Sequence, residues 1–375
     1  MKPDQQLGVP YARDSATSPR HHLGVRDLRE TLTPVLLSAV VVGGFATWIG
    51  LRVDGATATR YFDDIVTALA VLTATVMCIR ASRRQVGRLK LFWALLGSAC
   101  GAWTMAETMW AVYDLVLREP VPVPSWADVG YLSAIPLAVA ALLCHPAISE
   151  RRNKQTRATI DGLMVGCALL YLSWSLVLGP LWHSTDLSTI GGVVAVAYPF
   201  GDVVILFLIV QVMRSMTPNS RLALTLVLLG LSAMAFSDST YTYLVEANRY
   251  STGNPVDTGW VVGYLGLALG AYFADAPTMV RAEQTRRDDE PSLLIAMITP
   301  YLTVLAALIT ISVEVELRRP LDSLDWFIAL TLVLLVIARH ALFVLDRKRP
   351  SADEIDEQAN RWTTVAVAGS DAARP

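Results

Sequence analysis

Charged side chains are scarce in this sequence. Asp, Glu, Lys and Arg make up 17% of the 375 residues, whereas hydrophobic residues make up 53%. A soluble globular domain carries about 25% charged residues. The composition therefore argues against a soluble enzyme and indicates a protein embedded in a lipid bilayer. The net charge of −2, with the basic residues in short clusters between apolar runs, predicts no nucleic-acid partner.

Residues that ligate metals or act as nucleophiles are also few. The four cysteines are single residues within apolar segments and form no CxxC pair, which argues against a disulfide framework and a zinc site. The five histidines show no HxxxH or HExxH spacing, and no Walker loop, GxSxG or GxGxxG is present. We therefore predict no metal, no cofactor and no catalytic residue.

Long apolar runs dominate the sequence. A helix needs about 20 apolar residues to cross the hydrocarbon layer of a bilayer. Ten segments approach this length: 33–51, 61–79, 91–113, 127–144, 158–182, 193–213, 222–245, 256–274, 292–312 and 323–345. They predict an all-α transmembrane bundle of about ten helices over residues 31–346. The polar ends, 1–30 and 347–375, are predicted to be disordered cytoplasmic arms.

The distribution of basic residues predicts the orientation of the bundle. With the N-terminus inside, 25 of the 31 Lys and Arg residues fall on the inward side of the ten segments. Lys and Arg collect on the cytoplasmic side of membrane proteins. We therefore predict a multi-pass protein of the plasma membrane with both termini in the cytoplasm.

Acidic residues recur where outward connections lead into the next span. Asp128, Asp202 and Asp257 each follow a proline by two to four residues, and Asp64 occupies a similar place in the second span. Duplication of a helical hairpin would explain this recurrence. Capping explains it as well, because an acid in the first turn of a helix complements the helix dipole. A binding role for these acids is the third explanation, and all three stay open.

Two other carboxylates are not explained by capping. Glu107 and Asp238 each lie 16 residues into an outward-running span, which corresponds to about 24 Å of helix. There the helix dipole opposes a negative charge. A carboxylate at the bilayer centre costs about 2.5–3.5 kcal/mol and usually faces a cavity or a polar partner. These two residues therefore indicate a binding pocket.

Aromatic residues share helix faces with these acids. Trp103, Glu107, Trp110 and Asp114 have spacings of four, three and four residues, which keeps them on one face. Three further pairs lie one turn apart: Asp128 with Tyr131, Asp238 with Tyr241, and Asp257 with Trp260. Facing inward, they would line an outward-opening pocket for a cation, an amine or a protonated ligand. The alternative is an aromatic belt at the lipid headgroups, with the acids reaching water.

The predicted ligand-binding set combines these acids and aromatic residues. Its ligand is expected to be a small molecule or a lipid. The set is Glu107, Asp114, Asp128, Asp202, Asp238, Asp257, Trp103, Trp110, Tyr131, Tyr241 and Trp260.

Three short phrases resemble a membrane region of actinobacterial signalling proteins: PSWADVGYL, RATIDGLMVG and AYPFGDVVIL. In those proteins the region forms the N-terminal half, ahead of GGDEF (diguanylate cyclase) and EAL (phosphodiesterase) domains. The resemblance covers residues 30–345. Because this chain contains neither a GGDEF nor an EAL string, the resemblance implies a membrane-embedded input role and not the enzymatic activity.

The leading hypothesis is a membrane sensor or regulatory module. It would bind its ligand in the outward pocket and act on a cytoplasmic signalling partner through the Arg-rich loops. The first alternative is a transporter or membrane-embedded enzyme for a lipid-soluble or cationic substrate, with the same acids handling protons. The second is a structural protein whose acids are caps. Prolines concentrated at helix entrances would argue against a transporter, which needs helices interrupted within the membrane.

Overall fold

The computed structural model describes residues 25–119, 121–146, 155–184, 188–213, 221–274, 291–317, 321 and 323–347. Within these ranges the chain is helical and contains no strand, which confirms the predicted all-α fold. The predicted arms, 1–30 and 347–375, lie outside the described residues except at their edges, where α1 begins at Val25 and α10 ends at Arg347.

Ten long helices make up the described part of the chain. They are α1 Val25–Leu51, α2 Gly55–Arg84, α3 Gly87–Ala111, α4 Trp126–Cys144, α5 Gln155–Ser173, α6 Ile190–Met213, α7 Arg221–Glu246, α8 Asp257–Ala274, α9 Pro291–Glu316 and α10 Ser323–Arg347. Helix α3 continues through a π turn at Val112–Leu117. Helix α5 continues through a second π turn at Trp174–Leu178 into a short helical end, Gly179–Ser184. The ten predicted segments coincide with these helices.

Eight of the described helices, α1 to α7 and α10, are long and apolar enough to cross a membrane. The chain is therefore a multi-pass membrane protein. Helix α8, which has 18 residues and begins with Asp257, is not in this set. At 1.5 Å per residue it still extends about 27 Å, and it packs between α2 and α7 inside the bundle.

The larger group of helices, α1–α4 and α6–α8, shares one apolar core. Glycines bring α7 and α8 into backbone contact within it. A Cβ atom built on Gly230 would lie 2.7 Å from the carbonyl oxygen of Gly263, and one built on Gly266 would lie 3.0 Å from the Cα atom of Gly230. Small residues at such positions allow membrane helices to approach closely.

The peripheral helices, α5, α9 and α10, form a second apolar cluster that includes Met164, Tyr171, Ala307 and Leu332. Helix α5 also packs against α6, and this contact joins the peripheral helices to the larger group.

The helix ends of the larger group collect at two opposite ends of the bundle. At one end, Arg88 Nε donates to the carbonyl oxygen of Cys144 at 3.1 Å, and Gln85 Nε2 donates to that of Ala274 at 3.0 Å. We call this the basic end, because it carries Arg80, Arg83, Arg84, Arg88 and Lys90. We call the other the acidic end, because it carries Asp63, Asp64 and Asp128. Its position on the outer side of the plasma membrane stays a prediction.

Candidate functional site

A cavity of about 370 Å³ lies at the acidic end, among α2, α3, α4, α6, α7 and α8. Six carboxyl side chains line it: Asp63, Asp64, Glu107, Asp128, Asp202 and Asp238. Eight aromatic side chains join them: Trp103, Trp110, Tyr131, Tyr198, Tyr241, Tyr250, Trp260 and Tyr264. Among the described residues that line the cavity there is no lysine, arginine or histidine. The wall is therefore acidic and aromatic.

Glu107 and Asp238, which capping does not explain, both face this cavity. Glu107 is 9% exposed and accepts a hydrogen bond from the Tyr264 hydroxyl at 3.0 Å. Asp238 accepts one from Nε1 of Trp260 at 2.7 Å. Each carboxylate is thus met by a neutral donor, as the cost of a bare carboxylate at this depth requires.

The aromatic side chains of α3, α7 and α8 form a continuous cluster on one side of the cavity. The ring of Tyr241 is at its centre, with centroids 6.4 Å from Trp110, 4.6 Å from Tyr250 and 5.7 Å from Trp260. These rings face a cavity inside the bundle, so an aromatic belt toward lipid does not account for them.

Asp128 has both a capping position and a place on the cavity wall. Its Oδ2 accepts the backbone N–H of Ser125 at 2.6 Å, which is the reciprocal bond of a capping box at the start of α4. Its Oδ1 accepts the Tyr198 hydroxyl at 2.5 Å. Capping therefore explains one carboxylate oxygen, and the other faces a tyrosine of the cavity.

Asp257 lies behind the cavity wall and holds the connection between α7 and α8. Its Oδ2 accepts the backbone N–H groups of Gly253 at 3.0 Å and Asn254 at 2.7 Å, and its Oδ1 accepts the Tyr250 hydroxyl at 3.1 Å. Burial beside this carboxylate raises the pKa of Tyr250, which therefore remains a protonated donor. Capping and loop support account for Asp257, which positions Tyr250 against the cavity.

Capping does not account for Asp202. Helix α6 begins at Ile190, so Asp202 is its thirteenth residue and Pro199 lies inside the helix rather than at its entrance. Pro136 likewise lies inside α4, where the predicted segment 127–144 already placed it. Asp202 is 6% exposed, and its Oδ2 has no hydrogen-bond partner in the described structure.

Asp63 and Asp64 belong to the cavity but are missing from the predicted set. The apolar run begins near residue 61, which made them resemble first-turn acids, yet α2 begins at Gly55 and they are its ninth and tenth residues. Asp63 Oδ2 accepts the backbone N–H of Gly253 at 2.8 Å. Asp64 is 6% exposed, and its Oδ2 has no partner among the described residues. Two adjacent acids within an apolar helix are the signal that identifies them.

Asp114 does not line the cavity, although its carboxyl group is hydrogen-bonded to that of Asp64, which does. Arg60 of α2 binds it through two nitrogens, with Nε 3.1 Å from Oδ2 and Nη2 in contact with Oδ1. The predicted single face through Trp103, Glu107 and Trp110 ends before Asp114, because the π turn places more residues in each turn than an α-helix does. Asp114 therefore forms an ion pair between α2 and α3.

Nine of the eleven predicted residues line the cavity, all except Asp114 and Asp257. Their part in ligand binding stays a prediction. No group of three or more His, Cys, Asp or Glu side chains in the described chain is arranged to hold a metal ion. Comparisons with protein-family models, with curated proteins and with solved structures gave no match. The resemblance to input regions of signalling proteins is therefore still an expectation.

Proposed function

We propose that the chain is a membrane sensor or regulatory module whose cavity binds an organic cation. One observation carries this proposal. Six carboxyl groups line the cavity without a basic side chain among the described lining residues. A buried carboxylate is costly unless it is paired or hydrogen-bonded. A cation in the cavity offsets the negative charge of this wall.

The aromatic cluster favours an organic cation over an inorganic one. Tyrosine and tryptophan faces attract ammonium groups, and their apolar surface packs against carbon chains. The carboxylates are spread around the wall and do not converge on one point, as a hard metal ion would require.

The closed half of the bundle favours sensing over transport. Toward the basic end, the helices that form the cavity pack through fully buried side chains: Cys78, Leu96, Leu142, Val227 and Ala271. These residues belong to one continuous core, which separates the cavity from the basic end. The resemblance to signalling input regions is consistent with this role. A transporter is the alternative, and Pro136 and Pro199 within the helices around the cavity suit it.

Exposed basic residues at the opposite end support a cytoplasmic partner. Arg83, Arg84, Arg88 and Lys90 are exposed where α2 ends and α3 begins. A surface of this charge suits an acidic protein partner. A conformational change on ligand binding would be transmitted to this surface through α2 and α3, which run from one end of the bundle to the other.

Cation binding is tested with the purified full chain in lipid nanodiscs. Trp103, Trp110 and Trp260 line the cavity, so tryptophan fluorescence reports its occupancy. We expect saturable responses to organic ammonium ions and none to neutral alcohols of the same size. The double variant Asp64→Asn/Asp202→Asn should lose about 100- to 10,000-fold in affinity, since it removes two charged partners that contribute about 1.5–3 kcal/mol each.

The matched control is Glu119→Gln, which removes an exposed carboxylate at the acidic end that does not line the cavity. Its affinity should equal that of the unsubstituted chain. If a folded chain responds to no organic cation, the proposal is wrong. Uptake of a radiolabelled ammonium ion into proteoliposomes separates the two functions, since a sensor binds the ion without accumulating it.

A further inference from the structure

We infer that the ligand is a quaternary ammonium ion, in which methyl groups replace the N–H groups of a primary ammonium ion. This inference rests on the proposed function and deepens it, because it assumes that the cavity binds an organic cation. It follows from the way in which the carboxylates and the aromatic rings of the wall are bonded to one another.

Three carboxylates of the cavity wall each accept a hydrogen bond from an aromatic side chain of the same wall. The pairs are Trp260 Nε1 with Oδ1 of Asp238 at 2.7 Å, the Tyr264 hydroxyl with Oε1 of Glu107 at 3.0 Å, and the Tyr198 hydroxyl with Oδ1 of Asp128 at 2.5 Å. In each pair the chain itself supplies a donor, so the acid does not depend on the ligand for a hydrogen bond. Its negative charge still attracts a cation, because electrostatic attraction acts across several ångströms.

The same hydrogen bonds make the aromatic rings better partners for a cation. A hydroxyl or indole N–H that donates to a carboxylate shifts electron density into its ring, since hydrogen-bonded groups polarise one another. The face of an aromatic ring is already negative, and added electron density strengthens its attraction for a cation. Tyr250 belongs to this set as well, because its hydroxyl donates to Asp257 at 3.1 Å behind the wall.

Ring faces are available in the aromatic cluster around Tyr241. The planes of Trp110, Tyr250 and Trp260 are inclined to the plane of Tyr241 by 75°, 79° and 60°. A parallel stack covers one face of each ring, whereas a steeply inclined contact covers at most one face of the pair. All four rings line the cavity. They therefore offer a ligand aromatic faces at several angles, which is how proteins recognise quaternary ammonium ions.

A primary ammonium ion matches this wall less well. It brings three N–H donors, and each of them needs an acceptor when the ion leaves water. The carboxylates would have to share their oxygens between these donors and the aromatic donors of the chain. A quaternary ammonium ion has no N–H group, so its methyl groups pack against the ring faces without this competition. A cavity of about 370 Å³ lies at the lower end of the range for small-molecule sites, which suits a small ion.

The decisive experiment compares choline with ethanolamine on the unsubstituted full chain in nanodiscs, by tryptophan fluorescence and calorimetry. The two probes share the carbon chain, the hydroxyl group and the charge, and they differ in the methyl groups on nitrogen. We expect choline to bind at least about 10-fold more tightly. Dimethylbutanol, in which a carbon atom replaces the nitrogen of choline, has the same shape without the charge and should not bind.

A variant of the central ring tests whether the aromatic cluster makes this distinction. Tyr241→Leu should lower the affinity for choline at least about 10-fold and that for ethanolamine less than about 3-fold. The retained ethanolamine binding shows that the variant is folded. The matched control is Tyr243→Leu, which replaces an exposed tyrosine of α7 that does not line the cavity, and its affinity for both ions should equal that of the unsubstituted chain.

The inference and the proposed function fail in different ways. A preference for choline below the expected ratio would overturn the inference and leave cation binding intact. An equal loss of affinity for both ions in Tyr241→Leu would do the same. If neither ion binds to the folded chain, or if dimethylbutanol binds as tightly as choline, both the inference and the proposed function are wrong.

Discussion

Asp161 in α5 and Asp202 in α6 are buried acids on neighbouring helices, 7% and 6% exposed, and they differ in what meets them. Asp161 forms an ion pair with Arg339 of α10, whose guanidinium also packs 4.3 Å from the centroid of the Tyr301 ring. Another acid of the peripheral helices, Glu314, accepts the Tyr171 hydroxyl at 2.9 Å and the Ser175 hydroxyl at 2.5 Å. The cavity instead leaves one carboxylate oxygen of Asp202 without a donor.

The difference shows that this fold is able to satisfy a buried acid where the acid serves structure. In the peripheral helices the chain places an arginine, a tyrosine or a serine against each of these two carboxylates. A cavity wall of six acids, with no basic side chain among the described lining residues, is therefore not an unavoidable result of helix packing. Unsatisfied groups of this kind are expected at functional sites, where the surrounding fold offsets their cost.

The ion pair of the peripheral helices gives the largest expected effect. Arg339→Met leaves Asp161 as a buried charge without its cation, which costs about 3–5 kcal/mol. We expect a large fall in the melting temperature in detergent. The double variant Asp161→Asn/Arg339→Met should recover most of this loss. If Arg339→Met were as stable as the unsubstituted chain, the contrast between the peripheral helices and the cavity would be lost.

Loss of the Glu314 hydrogen bonds should cause the second-largest decrease in stability. Glu314→Ala removes the hydrogen bonds from the Tyr171 and Ser175 hydroxyls to this carboxylate, and hydrogen bonds to charged groups contribute about 1.5–3 kcal/mol each. Glu316→Ala, two residues further along α9 and exposed, is the matched control and should leave the melting temperature unchanged. Equal effects of the two substitutions would mean that the hydrogen bonds do not stabilise the fold.

A buried histidine at the basic end gives a pH effect unrelated to the cavity. Burial and the charge of Arg88 lower the pKa of His145 to about 4, from an ordinary value of 6.5. As pH falls below 6.5 the unfolded chain takes up a proton before the folded chain does, so stability decreases down to about pH 4. We expect a loss of roughly 1–2 kcal/mol at pH 5 that His145→Gln removes. The control is His340→Gln, at an exposed histidine, and this variant should still show the loss of stability at pH 5.

Removing an acid of the cavity should raise the stability of the protein, whereas the substitutions above lower it. Asp202→Asn replaces a buried carboxyl group whose Oδ2 receives no hydrogen bond, and we expect the protein without ligand to gain about 1 kcal/mol of stability while it loses affinity for the ligand. Paired melting and binding measurements test this. A variant that is both less stable and unchanged in binding would assign Asp202 to structure, like Asp161.

The smallest effect is expected at the ion pair beside the cavity. The side chain of Arg60 is 44% exposed and binds Asp114, close to the acids of α2. Arg60→Gln removes a positive charge that opposes the entry of cations, so the affinity for ammonium ions should rise about 3-fold at low salt. The gain should disappear at high salt, and a gain that persists there would contradict an electrostatic origin.

The helices were predictable from hydropathy, and Glu107 and Asp238 were predictable because the helix dipole opposes them. Asp64 resembled a first-turn acid because the apolar run begins near residue 61, whereas α2 begins at Gly55. Asp202 resembled a cap because it follows Pro199, but that proline lies inside α6 and not at its start. Tyr264 was missed because its position depends on which helices become neighbours. Asp114 was assigned to the cavity because spacing does not reveal a π turn.

The glycines between α7 and α8 have a mechanical consequence. Where the backbones of two helices touch, no side-chain layer remains between them that could repack to let one slide along the other. We therefore expect α7 and α8 to move as one rigid unit, with Asp238 and Trp260 keeping their mutual geometry. The hydrogen bond from Gln85 to Ala274 ties the far end of this unit to α2. A small tilt of the unit at the aromatic side would thus displace the arginines at the other surface.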